Sequence, residues 1–155
     1  MENLVSTEST TARADALEAF GTAYQQVARA QRRLRGRDAM QPGRLTAPQV
    51  NLLQPLLENG PMSSGQLAEA AGLTPATTTH MLDQLAVSGV VERERQIEDK
   101  RVVITRLTPQ GEEMLEARRT EMREAWDAAL AELSVDELEC ATKAIAAVCT
   151  FVDDL

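Results

Sequence analysis

The chain has 155 residues, 43% of them hydrophobic and 26% charged, with a net charge of −8. That is enough for one globular domain, alone or with an appendage; no apolar run nears the roughly 20 residues of a membrane span, and the polar stretch from Met1 to Thr11 is not expected to act as a secretory signal. Two cysteines, Cys140 and Cys149, make no disulfide scaffold, and a lone histidine leaves little from which to build a catalytic metal cluster, so a cytosolic binding protein is expected ahead of an enzyme.

In chain order, Leu17, Phe20, Tyr24, Val27 and Leu34 recur at spacings of three, four or seven, which predicts one face of a long helix from about Ala12 to Gly36. A loose stretch to Gly43 follows, with Pro42 as breaker. Thr46 with Gln49 predicts a capping box opening a second helix, and Ser63 with Gln66 predicts another opening a short third helix that stops at Gly72. Thr74-Pro75 restarts a helix, whose inner face carries Thr78, Met81, Leu82 and Leu85 and which ends near Ser88-Gly89. The period then changes. Val90 to Arg95 and Arg101 to Leu107 are rich in β-branched residues and alternate, so they read as a hairpin. Thr108-Pro109 opens a fifth helix reaching about Glu132, and Ser134 with Glu137 opens a last one with Leu138, Ala141, Ile145, Val148 and Val152 on one stripe.

Residues 63–88 have the pattern of a helix-turn-helix. Ala68 is small where two backbones approach, Gly72 serves the turn, and Leu67, Ala71, Leu73, Thr78 and Met81 point inward. Thr78 is the weak member, since an aliphatic residue there would bury more apolar surface. Taken alone, the segment has as its less favoured alternative an antiparallel helix pair in a bundle. Charge narrows the options: residues 1–28 carry net −3, residues 29–107 net +3 and residues 108–155 net −8, so only the middle suits a phosphate backbone.

The hairpin directly after the second helix makes the pattern a winged one. From Leu73 through Thr77, Leu82, Asp83 and Leu85 to Gly89-Val90-Val91-Glu92-Arg93, and again at Asp99-Lys100-Arg101 and Leu107-Thr108-Pro109 with Gly111, the chain resembles the MarR family of bacterial transcriptional regulators. The resemblance covers nearly the whole chain. It implies a mainly α fold with a small β wing, a single domain over 1–155, a winged helix-turn-helix lobe at 46–107 and dimerisation helices at 12–36 and 108–155.

The same resemblance implies roles. The outward residues at the start of the recognition helix, Pro75, Ala76, Thr77, Thr79 and His80, would meet base edges in the major groove, where threonine offers a hydroxyl and a methyl. His80 stands where many relatives carry a basic residue; a solvent-exposed histidine without a role is the alternative. Relatives often have Arg at the positions of Pro75 and Gln84, so DNA binding here is expected to be modest. In the wing, Arg101 would enter the minor groove, Arg93 is a further DNA contact, and Asp99 would brace Arg93 or Arg101. Gln96 and Ile97 depart from the Asp and Pro common before the wing tip. Arg29, Arg32 and Arg33 share a helix face, to be matched by the acids of residues 112–132 or, less favoured, by DNA phosphates.

One winged lobe reads one half-site, and a two-fold dimer reads two. Leu17 and Phe20 packing with Leu138, Ile145, Val148 and Val152 across a two-fold axis would cover stripes that one small domain otherwise has to bury internally. The expected partners are therefore a pseudo-palindromic double-stranded DNA operator, a second copy of the chain and a small organic effector, with no membrane and no cofactor. A lone His80 argues against a metal sensor. Cys149 is expected as a buried small hydrophobe, whereas Cys140 lies off the stripe. The leading function is a repressor relieved by a small molecule; a winged-helix module for protein contacts is the alternative, and a helical enzyme trails far behind.

Overall fold

The computed structural model describes residues 2–38, 43–96 and 102–154. In chain order the elements are α1 (Glu2–Asp38), α2 (Ala47–Asn59), β1 (Met62–Ser63), α3 (Ser64–Ala70), α4 (Pro75–Val87), β2 (Val91–Arg95), β3 (Val103–Leu107), α5 (Pro109–Ala129) and α6 (Val135–Asp153). They form two compact units, Met1–Leu115 and Glu116–Leu155. The mainly α fold with a small β wing is present.

In the first unit, α1 starts ten residues earlier than the apolar stripe announces and runs through Gly36. No proline interrupts residues 2–38, and a single glycine costs a helix only about 1 kcal/mol, so neither the polar start nor Gly36 stops it. The capping boxes at Thr46/Gln49 and Ser63/Gln66 both form, with the Gln49 and Gln66 amide oxygens accepting from the Thr46 and Ser63 backbone N–H at 2.8 and 2.9 Å. These caps fix where α2 and α3 begin. The core packs Leu52, Leu53 and Leu56 of α2 with Leu67 of α3, Leu82 and Leu85 of α4, and Val90 and Val91 at the wing entry, all 4% exposed or less.

The sheet is three-stranded and antiparallel, in the order β1-β3-β2. The expected hairpin is there, with Val91 opposite Leu107 and Arg95 opposite Val103. An additional strand is β1, where Met62 pairs with Thr105 and Ser63 with Ile104. Two residues carry no periodicity to read, and Ser63 doubles as the cap of α3.

The wing is tied to α5 at one tight point. Thr108 Oγ1 donates to the Gly89 carbonyl at 2.7 Å and accepts from the Gly111 N–H at 3.0 Å, while the Thr108 N–H donates to the Val90 carbonyl at 3.1 Å. A Cβ on Gly111 would lie 2.0 Å from the Val90 carbonyl oxygen. Only glycine lets the two backbones come this close.

In the second unit, α6 opens on the Ser134/Glu137 capping box and has no buried residue. Ile145 is 62% exposed and Val152 48%, and both cysteines are exposed. The expectation of a buried Cys149 is corrected for the single chain: the stripe beside it is uncovered, so nothing closes over the thiol. Part of the acidity of α5 is balanced along the helix, by Arg118–Glu121 at 3.0 Å and Arg119–Glu116 at 3.2 Å. Arg29, Arg32 and Arg33 on α1 are exposed. Among the described residues, no helix is long and apolar enough to cross a membrane.

Candidate nucleic-acid interface

Helices α3 and α4 meet through a four-residue turn, Ala71–Thr74. Gly72 takes φ +63°, a conformation that L side chains rarely adopt, and the Leu73 N–H donates back to the Ala68 carbonyl at 2.9 Å. Asn51 of α2 donates to the Ala71 carbonyl at 3.3 Å, pinning the turn to the core. Thr74 then caps α4, accepting from the Thr77 N–H at 3.2 Å, and Pro75 occupies the first turn, where its missing donor costs nothing.

The period of α4 separates two faces. Thr78, Leu82 and Leu85 are buried, while Ala76, Thr77, Thr79, His80, Asp83 and Gln84 are exposed. Of the residues expected inward, Met81, Ala71 and Leu73 are half-buried. The Thr77 hydroxyl lies 2.9 Å from that of Thr74, and the His80 ring nitrogen Nε2 lies 3.2 Å from the Gln84 amide nitrogen. The outward face of α4 is therefore polar, and its only charged side chain is Asp83.

The wing compensates in part. Arg93 of β2, with its side chain 21% exposed, forms a salt bridge with Asp83 of α4. Its expected brace, Asp99, lies outside the described residues, as does Arg101. Arg93 thus reaches back to the recognition helix. Arg106 pairs with Glu94 across the hairpin at 3.0 Å. Arg95, at the far end of β2, is exposed and without an ion pair among the described residues. Two participants escaped the sequence reading. Asp83 is the lone acid on the exposed face of α4. Arg95 shares a strand face with Arg93 by simple alternation, and that spacing was the available signal. Among the described residues no group of three His, Cys, Asp or Glu side chains is placed to hold a metal.

A helix-turn-helix whose second helix leaves its polar face bare, followed by an antiparallel strand pair whose first strand ends in Arg95, defines a winged helix-turn-helix fold. Residues 45–103 match the model of the MarR family. Over 90 residues the chain is 34% identical to the uncharacterized HTH-type transcriptional regulator YsmB of Bacillus subtilis (strain 168), a match covering 58% of this chain and 62% of that protein. The chain spans less than two thirds of the length of the curated relatives it matches. Among solved structures, the PcaV transcriptional regulator from Streptomyces coelicolor, in complex with its natural ligand, superposes with a TM-score of 0.69 at 22% identity, covering 84% of this chain and 91% of that one. A mutant MarR from E. coli complexed with operator DNA gives 0.68 at 24% identity, covering 83% and 91%. The likeness to the MarR family thus covers the winged lobe of this chain.

Proposed function

We propose that this chain is a regulator of transcription that binds double-stranded DNA in a sequence-specific manner, acting in the cytoplasm as a homodimer over its whole length. The observation that carries this reading is the exposed outward face of α4, Ala76, Thr77, Thr79 and His80, set beside a wing whose strand β2 ends in the exposed Arg95. In this reading α4 enters the major groove, Arg95 and Arg101 meet phosphates or the minor groove, and Arg93 serves by holding the wing to α4 through Asp83. The stripe of α6, with Ile145 and Val152 exposed and Leu138 and Val148 half-buried, and the exposed Leu17 and Phe20 of α1 support a two-fold assembly that presents two recognition helices to a pseudo-palindromic operator. The E. coli MarR complex with operator DNA and the PcaV complex with its natural ligand support a repressor that a small organic effector releases.

The test is a salt titration. Fluorescence anisotropy of the full chain with duplexes selected from a random pool is expected to show affinity falling steeply with salt, at a slope of roughly −0.9 per neutralised phosphate. Arg95→Ala and Arg101→Ala are each expected to weaken binding of all duplexes and to flatten the slope by about 1. Binding that is absent, or indifferent to salt, overturns the reading in favour of a winged helix used for protein contacts.

A further inference from the structure

Resting on that reading, we propose that His80 and Gln84 form a proton-sensitive base-reading pair, in which the state of the imidazole selects the base that Gln84 prefers. The two side chains sit one turn apart on the exposed face of α4, with His80 Nε2 and Gln84 Nε2 3.2 Å from each other. A carboxamide nitrogen can only donate. The contact is therefore a hydrogen bond only when the ring nitrogen is bare and accepts, which makes it a property of the neutral imidazole. In that state one Gln84 Nε2 proton is held by His80. The other, together with Oε1, remains free for adenine, whose N7 accepts and whose N6 amine donates.

Protonation reverses the requirement. The ring Nε2 then carries a hydrogen and needs an acceptor, so the carboxamide turns its Oε1 towards His80. Gln84 now displays its two amide donors, which suit the N7 and O6 acceptors of guanine. His80 acts through Gln84 and is a positioning residue. It is the sole histidine of the chain, so a change in the state of the imidazole acts on this pair alone. The other titratable group of α4, Asp83, is engaged by Arg93. The elements packed on α4 bring Glu69 from α3 and Glu92, Arg93, Glu94 and Arg95 from β2, and among the described residues none of these bonds the imidazole.

The experiment is selection of duplexes from a random pool by the full-length protein at about pH 8 and about pH 6, either side of the imidazole range. Sequencing reads the base at each enriched position, for the wild type and for His80→Gln, which cannot take up a proton there. The wild type is expected to exchange adenine for guanine at one symmetry-related position between the two pH values, and His80→Gln to select the same base at both. An identical wild-type motif at both pH values overturns the inference and leaves the DNA-binding reading intact, as does a shift that persists in His80→Gln. Enrichment of no sequence at either pH overturns both.

Discussion

Thr78 sits at 0% exposure inside the helix-turn-helix, and its hydroxyl has no hydrogen-bond partner among the described residues. A buried hydroxyl left unpaired loses its hydration without recompense, at about 1–3 kcal/mol. Thr78→Val keeps the branched shape and removes the polar atom, so it is expected to stabilise the fold by about 1 kcal/mol, read as a higher urea midpoint at unchanged m-value. Gly111 is the opposite case. Its absent Cβ is what admits the Val90 carbonyl, so Gly111→Ala is expected to destabilise by about 1–3 kcal/mol, as overpacking does, and a thermal midpoint equal to the wild type's would contradict this account. The weakness of Thr78 was legible because helical period alone turns it inward. The constraint on Gly111 was not, because the atom it accommodates lies 21 positions back, on the other side of the hairpin.

Single elements are held by their ends. Helix α6 begins where Ser134 accepts from the Glu137 N–H, and the Glu137 carboxylate answers by accepting from the Ser134 N–H at 2.8 Å and hydroxyl at 2.7 Å. These bonds to the Ser134 side chain and backbone hold the Glu137 carboxyl below its ordinary value of 4.5. A lowered folded value means the contribution is present in full above that ordinary value and is lost as pH falls through the lowered one. Stability is therefore expected to drop on acidification below pH 4.5, and Glu137→Gln to show a shallower drop in urea unfolding followed across that range. Cap spacings of this kind were visible at Thr46, Ser63, Thr74 and Ser134, since the partners lie three residues apart. The extension of α1 back to Glu2 was not visible, because a polar, proline-free stretch has no stripe to announce it.

For the whole molecule the decisive feature is apolar surface without cover. Leu17 is 60% exposed, Phe20 40%, Ile145 62% and Val152 48% in the single chain. Surface of this kind marks an interaction site when it is grouped on long helices. Sedimentation is expected to give a dimer for the wild type, whereas Ile145→Glu with Val152→Glu is expected to give a folded monomer with weakened operator binding. A wild type that sediments as a monomer would remove the basis for paired half-sites. The same measurement bears on Cys149, whose exposure depends on whether a second copy covers the stripe beside it.

Local rules carried much of this protein. Caps three residues apart, glycines at turns and the switch from helical to alternating period identified the helices, the hairpin and the outward face of α4, because each depends on interactions within one or two turns of chain. What they left open involves partners brought together by packing: Asp83 with Arg93, Ser63 of β1 with Ile104, and Val90 against Gly111. Asp99 and Asp83 are both carboxylates near Arg93 along the chain, and no spacing rule chooses between them. Asp83 meets Arg93 because Gly89, at φ +73°, turns the chain between α4 and β2 so that strand and helix lie side by side. That geometry is set by the core beneath them, where Leu82, Leu85, Val90 and Val91 are buried together, and so it exists only once the chain has folded.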